Sequence, residues 1–196
     1  MHAYYQIRFG RGFSQSGIGC GTLGATHPRR RADASGLANR RSIEEFDMST
    51  TMTREEREAF LTGVHVGILS LNQEGRGPLA VPVWYAYEPG GNLQFVTERT
   101  SRKGKLLEEG RRISLCVQDE APPYRYVSVE GPIVRIEPSD AERDERPLAH
   151  RYLGPEAGDR YMKSATDDRA DDAAISIQMR PERWLTVDYS KEDVGL

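Results

Sequence analysis

The stretch Phe95-Val96-Thr97-Glu98-Arg99-Thr100-Ser101-Arg102-Lys103-Gly104-Lys105 joins a β-rich run to a dense cluster of hydroxyl and basic side chains. Its first half reads as a strand. Ser101 then reads as the N-cap of a helix running to Glu109 and ended by Gly110. A helix start presents unbonded N–H groups and a partial positive charge, which suits an anion. Thr97 and Ser101 add hydroxyl donors, and Arg102 and Lys103 add full charges. Together they predict a phosphate cradle. The same spacing also suits a capped surface helix with solvated basic residues. Lysine usage favours the cradle: of only four lysines in the chain, Lys103 and Lys105 fall in this one turn.

Upstream, Thr53 with Glu56 forms a capping-box pattern ahead of Phe60 and Leu61, which predicts a short helix over 53–62. Residues 64–71 are β-rich and end at the turn Asn72-Gln73-Glu74-Gly75. A second strand runs from Leu79 to Tyr87, and Glu88-Pro89-Gly90-Gly91 joins it to a third at Asn92–Thr97, so the pair reads as a hairpin. Further strands are expected at Ile113–Gln118 and Tyr124–Ile136.

Downstream, a charged helical stretch runs from Ser139 to about Tyr152, interrupted by Pro147, and a second covers about Pro155–Lys163. Ala174-Ile175-Ser176-Ile177-Gln178-Met179 alternates strictly, and Trp184–Tyr189 follows the turn at Pro181. Six or seven strands, largely antiparallel, with helices at the periphery, give a mainly β fold: a β-barrel decorated with helices.

Residues 1–47 differ in kind. Seven arginines against four acids give this segment a charge of +3, which leaves −6 of the total −3 on residues 48–196. Rich in Gly, Arg and Ser and without periodicity, residues 1–47 are expected to be a disordered extension, with 48–196 forming the folded domain. Met48 or Met52 would serve as a natural start, which would place the extension upstream of the native chain. Gly19-Cys20-Gly21-Thr22-Leu23-Gly24 matches a dinucleotide-binding glycine pattern, but Ala25-Thr26-His27-Pro28 and three arginines follow where a helix is required, so a Rossmann unit is rejected. Paired arginines without an apolar run behind them are no export signal.

Composition excludes several classes. At 196 residues the chain has room for one ordinary domain and some surplus. No apolar run approaches the ~20 residues of a membrane span. Cys20 and Cys116 are too few for a disulfide framework, and His2, His27, His65 and His150 lack ligand spacing, so no metal site is expected. These features fit a soluble cytoplasmic protein. The net negative charge argues against a nucleic-acid partner, and the lysine-poor basic arm would bind phosphate backbones weakly and with strong salt dependence.

Val96-Thr97 followed by Ser101-Arg102-Lys103-Gly104-Lys105 and by Arg111-Arg112-Ile113-Ser114-Leu115 resembles the phosphate-binding stretch of the pyridoxamine 5'-phosphate oxidase-like split-barrel family. Pro82-Val83-Trp84-Tyr85, Pro122-Pro123-Tyr124-Arg125 and Val129-Glu130-Gly131 resemble the small flavin and deazaflavin oxidoreductases of that superfamily. The resemblance spans roughly residues 53–190. It implies a six-stranded split β-barrel working as a homodimer, with FMN or the deazaflavin F420 in a groove between subunits. It further implies that Arg102 and Lys103 bind the cofactor phosphate, that Ser101 and Thr97 assist as hydroxyl donors beside Val96, and that Val83 and Trp84 line the ring.

Several positions depart from the pattern. The basic residues that flank the flavin-contacting strand in true pyridoxamine-phosphate oxidases are replaced by Val81 and Ala86. An expected glutamine is Tyr126, and the Trp-rich, Arg-x-His C-terminal signature is missing from Pro181–Tyr189. Vitamin B6 oxidation is therefore not expected, and the balance tilts toward F420. The resemblance implies hydride transfer between the cofactor and a small conjugated substrate such as an enone, quinone or tetrapyrrole. Tyr85, Tyr124 and Tyr126 are the candidate proton donors, with no catalytic residue assigned. His65 reads as a packed histidine, and Glu130 as either barrel-facing or paired with an arginine. The alternative is a split barrel that binds a cofactor or haem without turnover.

Overall fold

The computed structural model describes residues 50–167 and 174–192. The whole arginine-rich segment 1–47, including the glycine pattern at 19–24, lies outside the described residues. In order, the elements are α1 (Arg54–Leu61), β1 (Gly67–Leu71), β2 (Leu79–Val83), β3 (Leu93–Glu98), β4 (Arg112–Gln118), β5 (Arg125–Pro138), α2 (Arg146–Leu153), α3 (Pro155–Asp167), β6 (Ala174–Met179) and β7 (Arg183–Asp188). The expected capping box opens α1, with Glu56 N–H donating to the Thr53 hydroxyl at 3.2 Å and Thr53 N–H to the Glu56 carboxylate at 2.7 Å.

Every strand pairing is antiparallel, in the order β2-β1-β4-β5-β6-β3, with β7 also on β5. β5 is the long spine of the fold. Its register on β6 shifts at Ile133/Arg135, a bulge that bends the sheet, and β7 continues along Arg125–Glu130. Gly131 is required at the crossing, because a Cβ there would run into the Arg180 carbonyl. The alternating inward residues Leu69, Leu71, Leu93, Phe95, Leu115, Val117, Val127, Val129, Ile177 and Met179 are fully buried and fill the interior. Such a sheet, curled around one core and flanked by α1, α2 and α3, is the split-barrel architecture.

Two expectations change. The hairpin between the second and third strands is reduced to one bridge, in which Ala86 and Gln94 exchange backbone hydrogen bonds at 2.8 and 2.9 Å. The physical reason is competition: β2 spends its ladder on β1, from Leu71↔Leu79 to Gly67↔Val83, and β3 spends its on β6. The helix expected from Ser101 to Glu109 is also not formed. A single 3-10 turn covers Gly104–Leu106, and Leu107 is already extended. Tertiary pairing wins there, since Gly110 N–H donates to Ile133 C=O at 2.8 Å and Glu109 accepts from Ile136 N–H at 2.9 Å. Gly104 in mid-segment also weakens the local helix.

In the charged stretch, a π-turn over Ala141–Glu145 precedes α2, and Pro147 falls in the first helical turn, where its missing N–H costs nothing. α3 extends four residues beyond the expected Lys163.

Candidate functional site

The Ala86–Gln94 bridge defines the site by where it stops. Carried on, its register would set Val83 against Thr97 and Trp84 against Val96, yet no ladder pair joins β2 to β3. The barrel is open along this line. Four of the sequence-derived residues, Val83, Trp84, Val96 and Thr97, therefore flank one split from opposite sides. Val83 and Thr97 are each 7% exposed, and Trp84 and Val96 are half-buried.

At the end of β3 the chain folds back in the turn that carries Ser101, Arg102 and Lys103. Ser101 is its clasp: its hydroxyl donates to the Glu98 carbonyl at 2.7 Å and accepts from Gly104 N–H at 3.0 Å. Thr97 Oγ1 lies 3.4 Å from that hydroxyl. Ser101 thus shapes the turn, and with no helix behind it the expected helix-dipole contribution is lost. The anion-binding capacity rests on side chains. Arg102 is exposed and reaches the Gln73 carboxamide at 3.1 Å, while Arg111 reaches the Asn72 carbonyl at 2.7 Å. These two contacts draw the β1–β2 loop to the turn.

Lys103 is different. It is half-buried, and its ammonium makes neither a hydrogen bond nor an ion pair with the described residues. Burial holds its ammonium below the ordinary lysine range, with Glu98 opposing that effect only in part. A partly desolvated cation that feels Glu98 but forms no direct ion pair with it keeps electrostatic capacity for an incoming anion.

The other end of the split is aromatic. The Trp84 indole stacks on Tyr152 of α2, centroids 5.0 Å apart and planes 6° from parallel, and Tyr161 of α3 leans on it at 5.4 Å. Tyr152, Tyr161, Gln73 and Arg111 were not singled out by sequence. No local pattern in the sequence linked Tyr152 or Tyr161, which lie in separate helices, to Trp84.

The remaining candidates sort cleanly. Tyr85 is fully buried, its hydroxyl donating to the Leu61 carbonyl at 2.9 Å, and burial pushes it above the ordinary tyrosine range. It has no access to a substrate and is removed as a proton donor. Tyr124 is exposed and Tyr126 half-buried. His65 is packed as expected, stacked on Phe60 at 4.6 Å with burial lowering its pKa and Asp119 3.8 Å away. Glu130 is the paired alternative, facing Arg183 at 3.4 Å and Arg112 at 3.9 Å. Two concavities of about 250 and 530 Å³ lie at the β4–β5 connection around Asp119, Glu120 and Pro122-Pro123. They do not include the split, whose residues carry the stronger chemistry.

The family model for pyridoxamine 5'-phosphate oxidase matches residues 53–188, which takes in both sides of the split and the Lys103 turn. The chain belongs to the pyridoxamine 5'-phosphate oxidase family. Among curated proteins none matches the sequence. Among solved structures, an F420 reductase is 23% identical with a TM-score of 0.53, covering 65% of this chain and 94% of its own. A conserved protein of Mycobacterium tuberculosis is 23% identical with a TM-score of 0.59, covering 76% and 91%. An FAD- and haem-binding protein of Mycobacterium smegmatis is 15% identical, with a TM-score of 0.49 and coverage of 71% and 73%. The first two share the fold of this family member. No helix among the described residues is long and apolar enough to cross a membrane.

Proposed function

We propose that the protein is an oxidoreductase that binds F420 or FMN in the split between β2 and β3 and passes a hydride between that cofactor and a small conjugated substrate. The observation that carries this reading is the Lys103 ammonium, half-buried and, among the described residues, without a hydrogen bond or ion pair, at the end of β3 beside its open edge. Its geometry fits a phosphate, with Arg102 supplying a second charge and Thr97 a nearby hydroxyl.

When bound, the ring system supplies the hydride chemistry. The chain's own residues bind and orient. Lys103 and Arg102 hold the anionic end, Val83 and the exposed edge of β2 offer backbone dipoles, and Trp84 with Val96 forms an apolar wall. No side chain is needed as a nucleophile. Tyr124 and Tyr126 line the concavity at the β4–β5 connection rather than the split, and no proton donor is assigned.

The working unit proposed is a homodimer. On the outer face of the sheet, the registers align Ile68, Cys116, Ser128 and Leu185 in one row, and Ile68 and Leu185 are 41% and 57% exposed. Val64 and Val66 extend this apolar strip. Such a surface suits a second copy of the chain. The folded domain is taken as 48–196, with 1–47 outside it, and the protein as cytoplasmic. Titrating the purified protein with FMN and with F420 tests the reading: saturable binding of either supports it, and binding of neither contradicts it.

A further inference from the structure

Tyr152 stands where the β1–β2 ladder would continue. The register pairs Gly67 with Val83, and carried two residues further it would set His65 against Tyr85. These backbone groups are spanned instead by a phenol from α2. Tyr85 N–H donates to the Tyr152 hydroxyl at 3.0 Å, the hydroxyl donates to the His65 carbonyl at 2.7 Å, and the Tyr85 carbonyl lies 3.2 Å from the same oxygen. A side chain thus takes the place of a strand and engages Tyr85 N–H, Tyr85 C=O and His65 C=O. The neighbouring Arg151 donates to the carbonyls of Thr62 and Gly63, so two successive residues of α2 register that helix on the entry to β1.

The β1–β2 ladder ends at Val83, the next residue, Trp84, lies flat on the Tyr152 ring, and Ala86, facing the other way, bonds Gln94 of β3. The mouth of the split lies between these features. We propose that Tyr152 is a positioning residue: its hydroxyl holds β1 and β2 apart, so that Trp84 is set as the wall against which the cofactor ring packs. This rests on the reading of the split as the cofactor site.

The test uses the full-length chain carrying Trp184→Phe, which leaves Trp84 as its one tryptophan. Tyr152→Phe keeps the ring and removes the hydroxyl. The expected result is faster exchange of the Tyr85 amide, an altered Trp84 emission maximum and acrylamide quenching, and a rise of about tenfold, or about 1.4 kcal/mol, in the Kd of whichever of FMN or F420 binds. Trp84→Phe should weaken binding as well, and the two changes together should cost less than the product of the two. If the parent binds cofactor and folded Tyr152→Phe leaves emission, exchange and Kd unchanged, the positioning role is overturned while the site stands. Should Tyr152→Phe not fold, unchanged affinity in Trp84→Phe overturns it. If the parent binds neither cofactor, the site reading itself fails and this role falls with it.

Discussion

Ala86 and Gln94 exchange both of their backbone hydrogen bonds, and three residues further along the same register Val83 and Thr97 do not pair. The barrel is closed at one point and open beside it. Residues distant in sequence are set on the two banks of this opening, and the turn with Lys103 lies at its end. The functional account depends on that juxtaposition.

Gly104 makes the turn. A Cβ at this buried position would meet the carbonyl oxygens of Glu98 and Arg99, which are backbone and cannot swing away. Gly104→Ala should therefore destabilise the protein by about 1–3 kcal/mol, the range for overpacking, and displace Lys103. Chemical denaturation checks the first effect, and cofactor titration of the folded variant checks the second.

Lys103 sets a pH dependence. Burial lowers its pKa in the folded protein, so between that value and the unfolded one the unfolded chain binds more protons and stability rises with pH. A bound anion acts in the opposite sense, raising the pKa and taking up a proton. Cofactor affinity should therefore fall as pH climbs through the free protein's lowered Lys103 pKa, earlier than an ordinary lysine would dictate. Lys103→Arg should flatten that fall, and titrations from neutral to strongly alkaline pH measure it.

Tyr85 is structural. Tyr85→Phe leaves the buried Leu61 carbonyl without its donor and should cost about 1–2 kcal/mol in unfolding free energy. Turnover should be unaffected. A large loss of kcat with unchanged stability would restore Tyr85 as a proton donor.

The outer row of the sheet predicts an assembly. Leu185→Asp places a charge in the exposed apolar strip without touching the core. Light scattering coupled to size exclusion should show a dimer for the parent and a folded monomer for the variant.

Much of this fold was legible because strand patterning is local. Ile175 and Ile177 alternate with polar neighbours, Thr53 and Glu56 announce α1, and the Gly-rich turns separate the runs. The errors arise where a segment's partners lie far away. Nothing within Ser101–Glu109 reveals that Gly110 will bond Ile133, and a capping serine looks the same whether it clasps a turn or starts a helix. The β2–β3 hairpin failed likewise, because β1 and β6 claim the two strands. The basic and hydroxyl residues of the site were readable as a cluster. That Ser101 is used within the turn while the Lys103 ammonium forms no hydrogen bond with the described residues is set by the fold, and so is the reach of Tyr152 across 67 residues to Tyr85.

The central claim is that Lys103 and Arg102 hold the anionic end of a flavin or deazaflavin. Its most direct test is titration of FMN and F420 against the parent and against Arg102→Ala/Lys103→Ala. The account predicts a loss of about 2–5 kcal/mol in binding free energy, from two charge-assisted bonds at roughly 1.5–3 each, with the fold intact by circular dichroism. Unchanged affinity in a folded double variant would contradict it.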